Sequence, residues 1–465
     1  MAVETHRRVG TKIRKRSRAT GSFLRNAATR WGGIRERYKW WQITLFVIGA
    51  VSAVSIVSAL FFAVGDKPAR ITTDRDVPPV DSIQFATALG GLVDAPVEQG
   101  GTLSILNNGD EFFPDLLQTI RNAKRSINFS VYIWKAGQVS DQVLPALIER
   151  QQHGVQVRIL LDGLGGVGAD GDDFEPLLKA GGVVQKFRTP KFGKLTRFHR
   201  RNHRRSIVID GVIGYTGGMA VSDVWLGHAQ DPDHWRDVMF RVTGPLARSL
   251  QAAFVDTWVS SSGEILVGPD IYPVATGPSG GSVERFIHLA NSPADDDQSM
   301  AYFFLLPIFG ARTSIHVTTP YFIPDDYLLD ALVKKAKAGV DVTLLVPGPH
   351  TDNWVTRASA QARYQTLLEA GVKIHEYEPT FTHAKYVVVD GKWSILGSPN
   401  LNFRSRQLDE ENAMGILDAG LGGQLEAIFS QDLKKAKRIN LDEWRKRNPM
   451  QHMFETLSRV LDQQS

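Results

Sequence analysis

The chain has 465 residues, of which 43% are hydrophobic and 22% are charged, and it contains no cysteine. This length exceeds what one simple core organises and predicts two domains or one duplicated domain, while the hydrophobic and charged fractions are typical of globular proteins. The absence of cysteine excludes disulfides, thiolate nucleophiles and cysteine-ligated metal sites.

The positive charge of the chain is concentrated at its N-terminus. Residues 1–39 contain twelve Lys or Arg and two acidic residues, whereas the whole chain carries a formal net charge of +5. The remainder of the chain is therefore net acidic. A nucleic-acid-binding arm is one interpretation of such a basic tail, but the segment that follows favours a tail beside a membrane.

Residues 40–65 form an uncharged run of 26 residues. About 20 apolar residues suffice for a helix to cross the hydrocarbon core, and Trp40 and Trp41 stand where interfacial aromatic side chains belong. The run is longer than the ~7–15-residue apolar core of a cleaved signal peptide. It therefore predicts an uncleaved transmembrane anchor, with a buried soluble helix as the alternative. The positive-inside rule then predicts a single-pass protein of the cell (inner) membrane, its tail 1–39 cytoplasmic and its body outside the cytoplasm.

A segment rich in Pro, Gly and Asp, residues 66–100, predicts a linker with little fixed structure. Beyond it, apolar runs of strand and helix type alternate along the chain. The predicted elements are a strand at 126–134, a helix at 140–153, a strand at 155–161, a helix at 174–180 and a strand at 183–187. This alternation predicts an α/β fold with a mostly parallel sheet covered by helices.

The same order of elements occurs twice. Residues 312–321 match residues 125–134, and the run that begins Ala338-Gly-Val matches the run that begins His153-Gly-Val. A solenoid would repeat every ~20–50 residues, so these distant matches indicate two copies of one domain. The predicted boundaries are a first half at 101–266, a Pro-, Gly- and Ser-rich join at 267–282 and a second half at 283–465.

Each half contains one copy of a short polar motif. The second-half copy contains His383, Lys385, Asp390, Ser398 and Asn400, and the first-half copy contains His203, Arg205, Asp210, Gly217 and Gly218. Side chains alternate along a strand, so the histidine and the basic residue two positions later share a face, where they can attack and hold a phosphate. Each aspartate lies about 23 Å of extended strand beyond its histidine. We therefore expect the aspartates to shape the turn.

These motifs resemble the H-x-K-x-x-x-x-D signature of the phospholipase D superfamily, and residues 100–465 are most similar to its bacterial cardiolipin-synthase branch. The second motif fits fully, whereas the first has Arg205 in place of lysine and Ala220 where the family's asparagine often stands. The resemblance implies two pseudo-symmetric phospholipase D-like halves, each a mostly parallel sheet covered by helices, preceded by one transmembrane helix. The site is expected between the halves.

Cleavage of a phosphodiester needs a nucleophile, a proton donor and positive charge around the transition state. One imidazole would attack phosphorus to form a phosphohistidine, and the other would protonate the leaving oxygen. The basic residues of both motifs would bind the non-bridging oxygens, while Ser398, Asn400 and the Gly217-Gly218 pair would contact substrate. The family also places one acid downstream of each histidine, and Asp237 and Glu411 match those positions. No metal or other cofactor is expected.

The resemblance implies a phosphatidyltransferase that makes cardiolipin from phosphatidylglycerol, with a phospholipid and the membrane as its partners. The alternatives are a phospholipase D-type lipid hydrolase, an exported phosphodiesterase or nuclease, and a catalytically weak lipid-binding homologue. Residues 186–205, here called the basic lip, contain nine Lys or Arg and no acid. They are expected to attract anionic headgroups, although a solvated loop is the simpler interpretation. Nucleic acid would be attracted by the same charges, but the predicted anchor argues against it as the partner.

Overall fold

The structure, a computed structural model, describes residues 42, 44–46, 49, 71–73, 75–168, 171–188, 200–274, 281–292 and 297–447. The chain divides into a unit Met1–Ala69 and a unit Arg70–Ser465, and the second unit contains all elements given below. No helix within the described ranges is long and apolar enough to cross a membrane. The predicted tail 1–39 and all but five residues of the predicted anchor 40–65 lie outside those ranges.

The first half contains seven strands and four α-helices among its described residues. Its strands are β1 (Leu103–Asn107), β2 (Ser126–Val131), β3 (Gln156–Asp162), β4 (Val183–Phe187), β5 (Ser206–Ile209), β6 (Ile213–Gly217) and β7 (Val238–Thr243). Its helices are α2 (Gly109–Asn122), α3 (Gln138–Gln152), α4 (Glu175–Lys179) and α5 (Pro245–Ser262), and α1 (Ile83–Leu92) precedes them all.

The second half repeats this arrangement. Its strands are β8 (Arg285–Asn291), β9 (Ser314–Thr318), β10 (Asp341–Pro347), β11 (Lys373–Tyr377), β12 (Tyr386–Val389), β13 (Trp393–Gly397), β14 (Glu411–Leu417) and β15 (Ala436–Arg438). Its helices are α6 (Ser299–Gly310), α7 (Asp326–Lys337), α8 (Trp354–Glu369), α9 (Phe403–Gln407), α10 (Ala419–Leu433) and α11 (Leu441–Arg445).

Both sheets are mixed, so the prediction of mostly parallel sheets is wrong. The strand orders are β1-β7-β6-β5-β2-β3-β4 and β15-β11-β10-β9-β12-β13-β14-β8. The parallel pairs are β2–β3, β3–β4, β9–β10 and β10–β11, and the other ladders are antiparallel. The motif strands cause the difference, because the tight turns after β5 and β12 return the chain beside itself, which requires antiparallel pairing.

The segment predicted as a loose linker, residues 66–100, is ordered in its second part. Ser82 caps α1 by accepting a hydrogen bond from the Phe85 N–H, and Phe85 and Leu89 are fully buried in the core of the second half. Glu98 forms a β-bridge with Phe286 of β8. Burial of these apolar side chains offsets the entropy of ordering a short segment, so the prediction of little fixed structure is wrong there.

A core shared by the two halves fixes the position of the motif strands. On β5, Ile207 and Ile209 point into the first half's own core, while Val208 points into the shared core. On β12, Val387 packs in the second half's own core and Val388 in the shared one. The alternation of side chains along a strand thus ties both motifs to one interface.

Candidate active site

His203 lies just before β5 and is held by two consecutive residues of the second half. Its backbone N–H donates to the Glu410 carbonyl at 2.9 Å. Its ring Nδ1 lies 2.9 and 3.1 Å from the two carboxylate oxygens of Glu411. Because the main chain and the ring are both bonded, the imidazole is fixed in position and its Nε2 is left for chemistry.

His383 lies just before β12 and is held in the same way by the first half. Its backbone N–H donates to the Arg236 carbonyl at 2.7 Å, and its Nδ1 lies 2.7 Å from Asp237 Oδ2. Asp237 and Glu411, which sequence position singled out, therefore both contact a motif histidine. Each acid serves the histidine of the opposite half, so the arrangement is complete only when the halves are packed together.

Arg205 and Lys385 make matching contacts in the two halves. An Nη1 hydrogen of Arg205 is donated to the His203 carbonyl at 2.7 Å, and Lys385 Nζ donates to the His383 carbonyl at 2.9 Å. Both side chains are buried. Arg205 thus occupies the place of the second-half lysine, and its departure from the motif preserves a buried cation.

Lys385 also contacts the ring of His383. Its Nζ lies 3.0 Å from Nε2 and 3.1 Å from Nδ1. An atom this close to both nitrogens lies over the face of the ring, because a point in the ring plane at those distances would collide with the carbon between them. The ammonium therefore lies over the ring, 3.0 Å from the nitrogen at which a phosphate would react.

The two acids are oriented by different donors. Ser398 donates to Glu411 Oε2 at 2.5 Å and Ser405 donates to Oε1 at 2.6 Å. In the other half, the Trp225 indole donates to Asp237 Oδ2 at 2.9 Å. Gly218 stands where the second half has Ser398, and a Cβ there would lie 2.4 Å from the Asp237 carboxylate oxygens. Glycine at this position therefore makes room for the acid.

Burial sets the protonation states of the site. It lowers the pKa of His203 well below its usual value, and the charges of Arg205 and Lys385 lower it further. Burial likewise lowers the pKa of His383 to about 3 and that of Lys385 to about 7. Both imidazoles are therefore neutral near pH 7, the form in which the Nε2 lone pair is nucleophilic.

Asp210 and Asp390, the aspartates of the motif, lie in the turns that follow β5 and β12. Each adopts a left-handed backbone conformation, with φ of +56° and +54°. The carboxylate of Asp210 accepts backbone N–H groups of residues 124–126, and that of Asp390 accepts those of residues 312–314. Each carboxylate thus joins the turn after its motif strand to the start of the neighbouring strand.

The predicted substrate-binding residues lie in different environments, and each has its own contacts. Ser398 is engaged by Glu411, and Gly217 has a φ of +145° at the end of β6. Asn400 is buried, and its side-chain oxygen has no hydrogen-bond partner among the described residues. Ala220 is buried in the core of the first half, so that half lacks a matching amide. Residues 189–199 of the basic lip lie outside the described part of the chain.

Two tyrosines beside the histidines were not predicted. Tyr132 follows β2 and its ring centroid lies 5.1 Å from that of His203, whereas Tyr321 follows β9 and lies 6.5 Å from His383. Both lie beyond the end of the first strand of the parallel part of each sheet. They are one position apart, because the matching β-bridges at Trp134 and Phe322 make Tyr321 the counterpart of Ile133. The rule that sites form beyond the carboxyl ends of parallel strands could have identified them.

Together these groups suit the chemistry of a phosphodiester. Two neutral imidazoles, each oriented by a carboxylate, can supply a nucleophile and a proton carrier. Two buried cations beside them can bind non-bridging phosphate oxygens. In the described residues, no group of three or more His, Asp or Glu side chains is placed to hold a metal ion.

Comparison with known proteins identifies relatives of this arrangement. Residues 116–231 and 307–433 match the protein family described as "Cardiolipin synthase, PLD-like domain". Cardiolipin synthase 1 of Bacillus cereus is 31% identical over 390 residues, covering 82% of this chain and 76% of that protein. Cardiolipin synthase of Staphylococcus aureus is 32% identical over 361 residues, covering 77% of this chain and 72% of that protein.

Among solved structures, the fold is similar to that of phosphatidylserine synthase from Haemophilus influenzae. The TM-score is 0.62 at 17% sequence identity, covering 82% of this chain and 98% of that chain. Polyphosphate kinase from Porphyromonas gingivalis is similar with a TM-score of 0.50 at 12% identity, covering 78% of this chain and 53% of that chain. At these identities the likeness concerns the fold alone.

Proposed function

The chain belongs to the phospholipase D superfamily, in its cardiolipin synthase branch, and we propose that it transfers a phosphatidyl group from one phosphatidylglycerol to another. The products are cardiolipin and glycerol. The observation that carries the proposal is the pair of crossed histidine–carboxylate contacts, His203 with Glu411 and His383 with Asp237. The similarity to cardiolipin synthases supports the choice of a phospholipid as the substrate.

In the first step, His203 Nε2 attacks phosphorus and forms a covalent phosphohistidine. The glycerol oxygen leaves on the opposite side of phosphorus, where His383 protonates it from Nε2, having taken up a proton when the anionic phosphate bound beside it. Glu411 stabilises the positive charge that develops on the attacking imidazole. In the second step, His383 removes a proton from the terminal hydroxyl of a second phosphatidylglycerol, and this oxygen displaces His203 from phosphorus.

Arg205 and Lys385 hold the non-bridging oxygens while charge redistributes in both steps. Their burial strengthens this attraction, because little water competes for the phosphate. The crossed contacts leave each Nδ1 engaged by an acid, so proton transfer and attack both occur at Nε2. The nucleophilic histidine and its acid thus come from different halves.

Membrane attachment is part of the proposal. The uncharged residues 40–65 would hold the enzyme at the bilayer that contains its substrate, with the tail 1–39 in the cytoplasm. The basic lip would draw anionic headgroups toward the site. A substrate that never leaves the membrane makes such an anchor useful, since a tethered site meets lipid at high local concentration.

The proposal is tested by incubating the purified full-length protein in phosphatidylglycerol vesicles and separating the lipid products. The wild type is expected to form cardiolipin and release glycerol. His203→Ala and His383→Ala should each lower turnover by at least about 10³-fold, because neither group has a substitute in the site. His153→Ala, which alters an exposed histidine at the end of α3, should retain full activity.

Trapping the reaction with phosphorus-labelled substrate identifies the nucleophile. We expect the label on His203 and its absence from the His203→Ala variant. Label on neither histidine contradicts the covalent mechanism. Formation of phosphatidic acid without cardiolipin would replace the transferase with a lipid hydrolase, and release of nucleotides from DNA or RNA alone would indicate a nuclease.

A further inference from the structure

The two halves of the site differ in the charged residue that is hydrogen-bonded to the hydroxyl of their tyrosine. Arg201 donates to the hydroxyl of Tyr132 at 2.7 Å, so a guanidinium stands beside the tyrosine of the first half. In the second half the hydroxyl of Tyr321 instead donates to the carboxylate of Asp352. The tyrosines beside the two motif histidines thus have partners of opposite charge.

Cations accumulate on the His203 side of the site. The charges of Arg205, Lys385, Arg404 and Arg201 all lower the pKa of His203, in addition to the larger effect of burial. Of these, Arg404 is paired with Asp409 at 2.8 Å. This side is suited to phosphate oxygens, because guanidinium groups bind them through charge-assisted hydrogen bonds. The mechanism above assigns no role to Asp352 on the opposite side.

Asp352 lies beside the site, in the connection between β10 and α8. Its surface is exposed, and Tyr321, its hydrogen-bond partner, contacts the ring of His383. Partial loss of hydration raises the pKa of Asp352, while the Tyr321 hydrogen bond and the charge of Lys385 oppose that rise. The carboxylate is therefore close to the catalytic groups, with one oxygen bonded to Tyr321.

The side from which the nucleophile attacks phosphorus determines which part of the substrate lies beside the Asp352 carboxylate. In an in-line displacement the attacking and departing groups lie on opposite sides of phosphorus. With His203 as the nucleophile, the departing alcohol and the incoming alcohol both occupy the His383 side. Tyr321 and Asp352 are on that side, so they face the part of the alcohol beyond the reacting oxygen.

We propose that Asp352 and Tyr321 form a subsite for the free hydroxyl groups of a glycerol moiety, that of the departing glycerol or of the acceptor headgroup. The inference rests on the proposed function and adds the group that selects the alcohol. Neighbouring hydroxyls donate to the Asp352 carboxylate, and Tyr321 orients that carboxylate through its own hydrogen bond. The acceptor's own phosphate lies away from Asp352, because contact would bring two negative charges together.

The test is a competition between two alcohols in one reaction. The full-length protein is given phosphatidylglycerol vesicles with equal concentrations of labelled glycerol and labelled 1-propanol. Phosphatidylglycerol that gains labelled glycerol is compared with phosphatidylpropanol. We expect the wild type to favour glycerol. The Asp352→Asn variant should lose about 10- to 100-fold of this preference, because a neutral amide forms weaker hydrogen bonds with hydroxyls than a carboxylate does.

Tyr321→Phe should reduce the preference in the same direction, and Tyr132→Phe, which alters the tyrosine beside His203, should leave the ratio unchanged. An unchanged ratio in both Asp352→Asn and Tyr321→Phe overturns the inference while the proposed function stands. A parallel loss of transfer to both alcohols and of hydrolysis also overturns it, since Asp352 would then act only through Lys385. Absence of transfer by the wild type would overturn the proposed function and the inference with it.

Discussion

Glu411 is fully buried, yet it is the acid that must be negatively charged when His203 becomes positive. Burial raises the pKa of Glu411 to about 7, and the hydroxyls of Ser398 and Ser405 act in the opposite direction. Burial lowers the pKa of Lys385 to about 7. Glu411 is therefore ionised only above about pH 7, and Lys385 is charged only below it.

These two titrations predict a bell-shaped pH dependence of kcat/KM centred near pH 7. Activity rises with pH as Glu411 loses its proton and falls as Lys385 loses its own. Ser398→Ala removes a hydrogen bond that favours the carboxylate form, so the acid limb should move to higher pH by about one unit. Initial rates of cardiolipin formation between pH 5 and 9 measure the shift.

Ser394→Ala is the matched control. This buried serine lies in β13, four residues before Ser398, and its hydroxyl has no hydrogen-bond partner among the described residues. It should leave both limbs in place. An acid limb that stays unchanged in Ser398→Ala, or that moves to lower pH, would show that Glu411 does not control it.

At the residue scale, the sequence predicted the groups of the two motifs, and the family resemblance added Asp237 and Glu411 downstream of them. It did not predict Trp225 or Asp352. A motif is recognised from short spacings along one strand, whereas Trp225 reaches Asp237 from a separate turn of helix at Asp223–Trp225. Such contacts depend on how distant segments pack, and one sequence contains no local signal for them.

The motif aspartates join secondary-structure elements to one another rather than binding substrate. Asp390 joins the turn after β12 to the start of β9 by accepting the N–H groups of three consecutive residues. Asp390→Ala removes that acceptor and places alanine in a left-handed conformation. We expect a loss of about 2–4 kcal/mol of unfolding free energy, since hydrogen bonds to a charged group are worth ~1.5–3 kcal/mol and the strain adds to it. Urea unfolding measures the change.

Turnover of the folded Asp390→Ala protein should stay within about threefold of the wild type, well below the ~10²-fold effect typical of a lost acid–base group. Asp210→Ala, the counterpart in the first half, should behave alike because it accepts the matching N–H groups before β2. A large loss of turnover at unchanged stability would instead assign the aspartates to the chemistry.

Element positions were predicted more closely than their pairing. The predicted strand at 183–187 coincides with β4, and the predicted helix at 140–153 lies close to α3 (Gln138–Gln152). Local periodicity carries that information. The direction in which β5 and β6 pair with β2 and β7 depends on contacts between distant segments, which is why the sheets were wrongly expected to be mostly parallel.

The two halves form one working molecule because each supplies a part that the other lacks. Arg236 of the first half and Asp432 on α10 of the second form a buried ion pair, with Nε and Nη2 about 3.0 Å from the carboxylate oxygens. Arg236 also provides the carbonyl that accepts the His383 N–H. The ion pair therefore lies directly beside the catalytic contact between the halves. The sequence repeat predicted two halves but held no sign of this bond.

Asp432→Ala should cost about 3 kcal/mol of unfolding free energy, because a buried guanidinium left unpaired is strongly destabilising. It should also lower kcat, since Arg236 is then free to shift and its carbonyl bond to His383 weakens. Glu175→Gln is the control, because the Lys179–Glu175 pair is solvent-exposed and such pairs are worth at most about 1 kcal/mol. Urea unfolding monitored by tryptophan fluorescence, together with cardiolipin assays, tests both effects. Equal stability of the two variants would show that this ion pair does not hold the halves together.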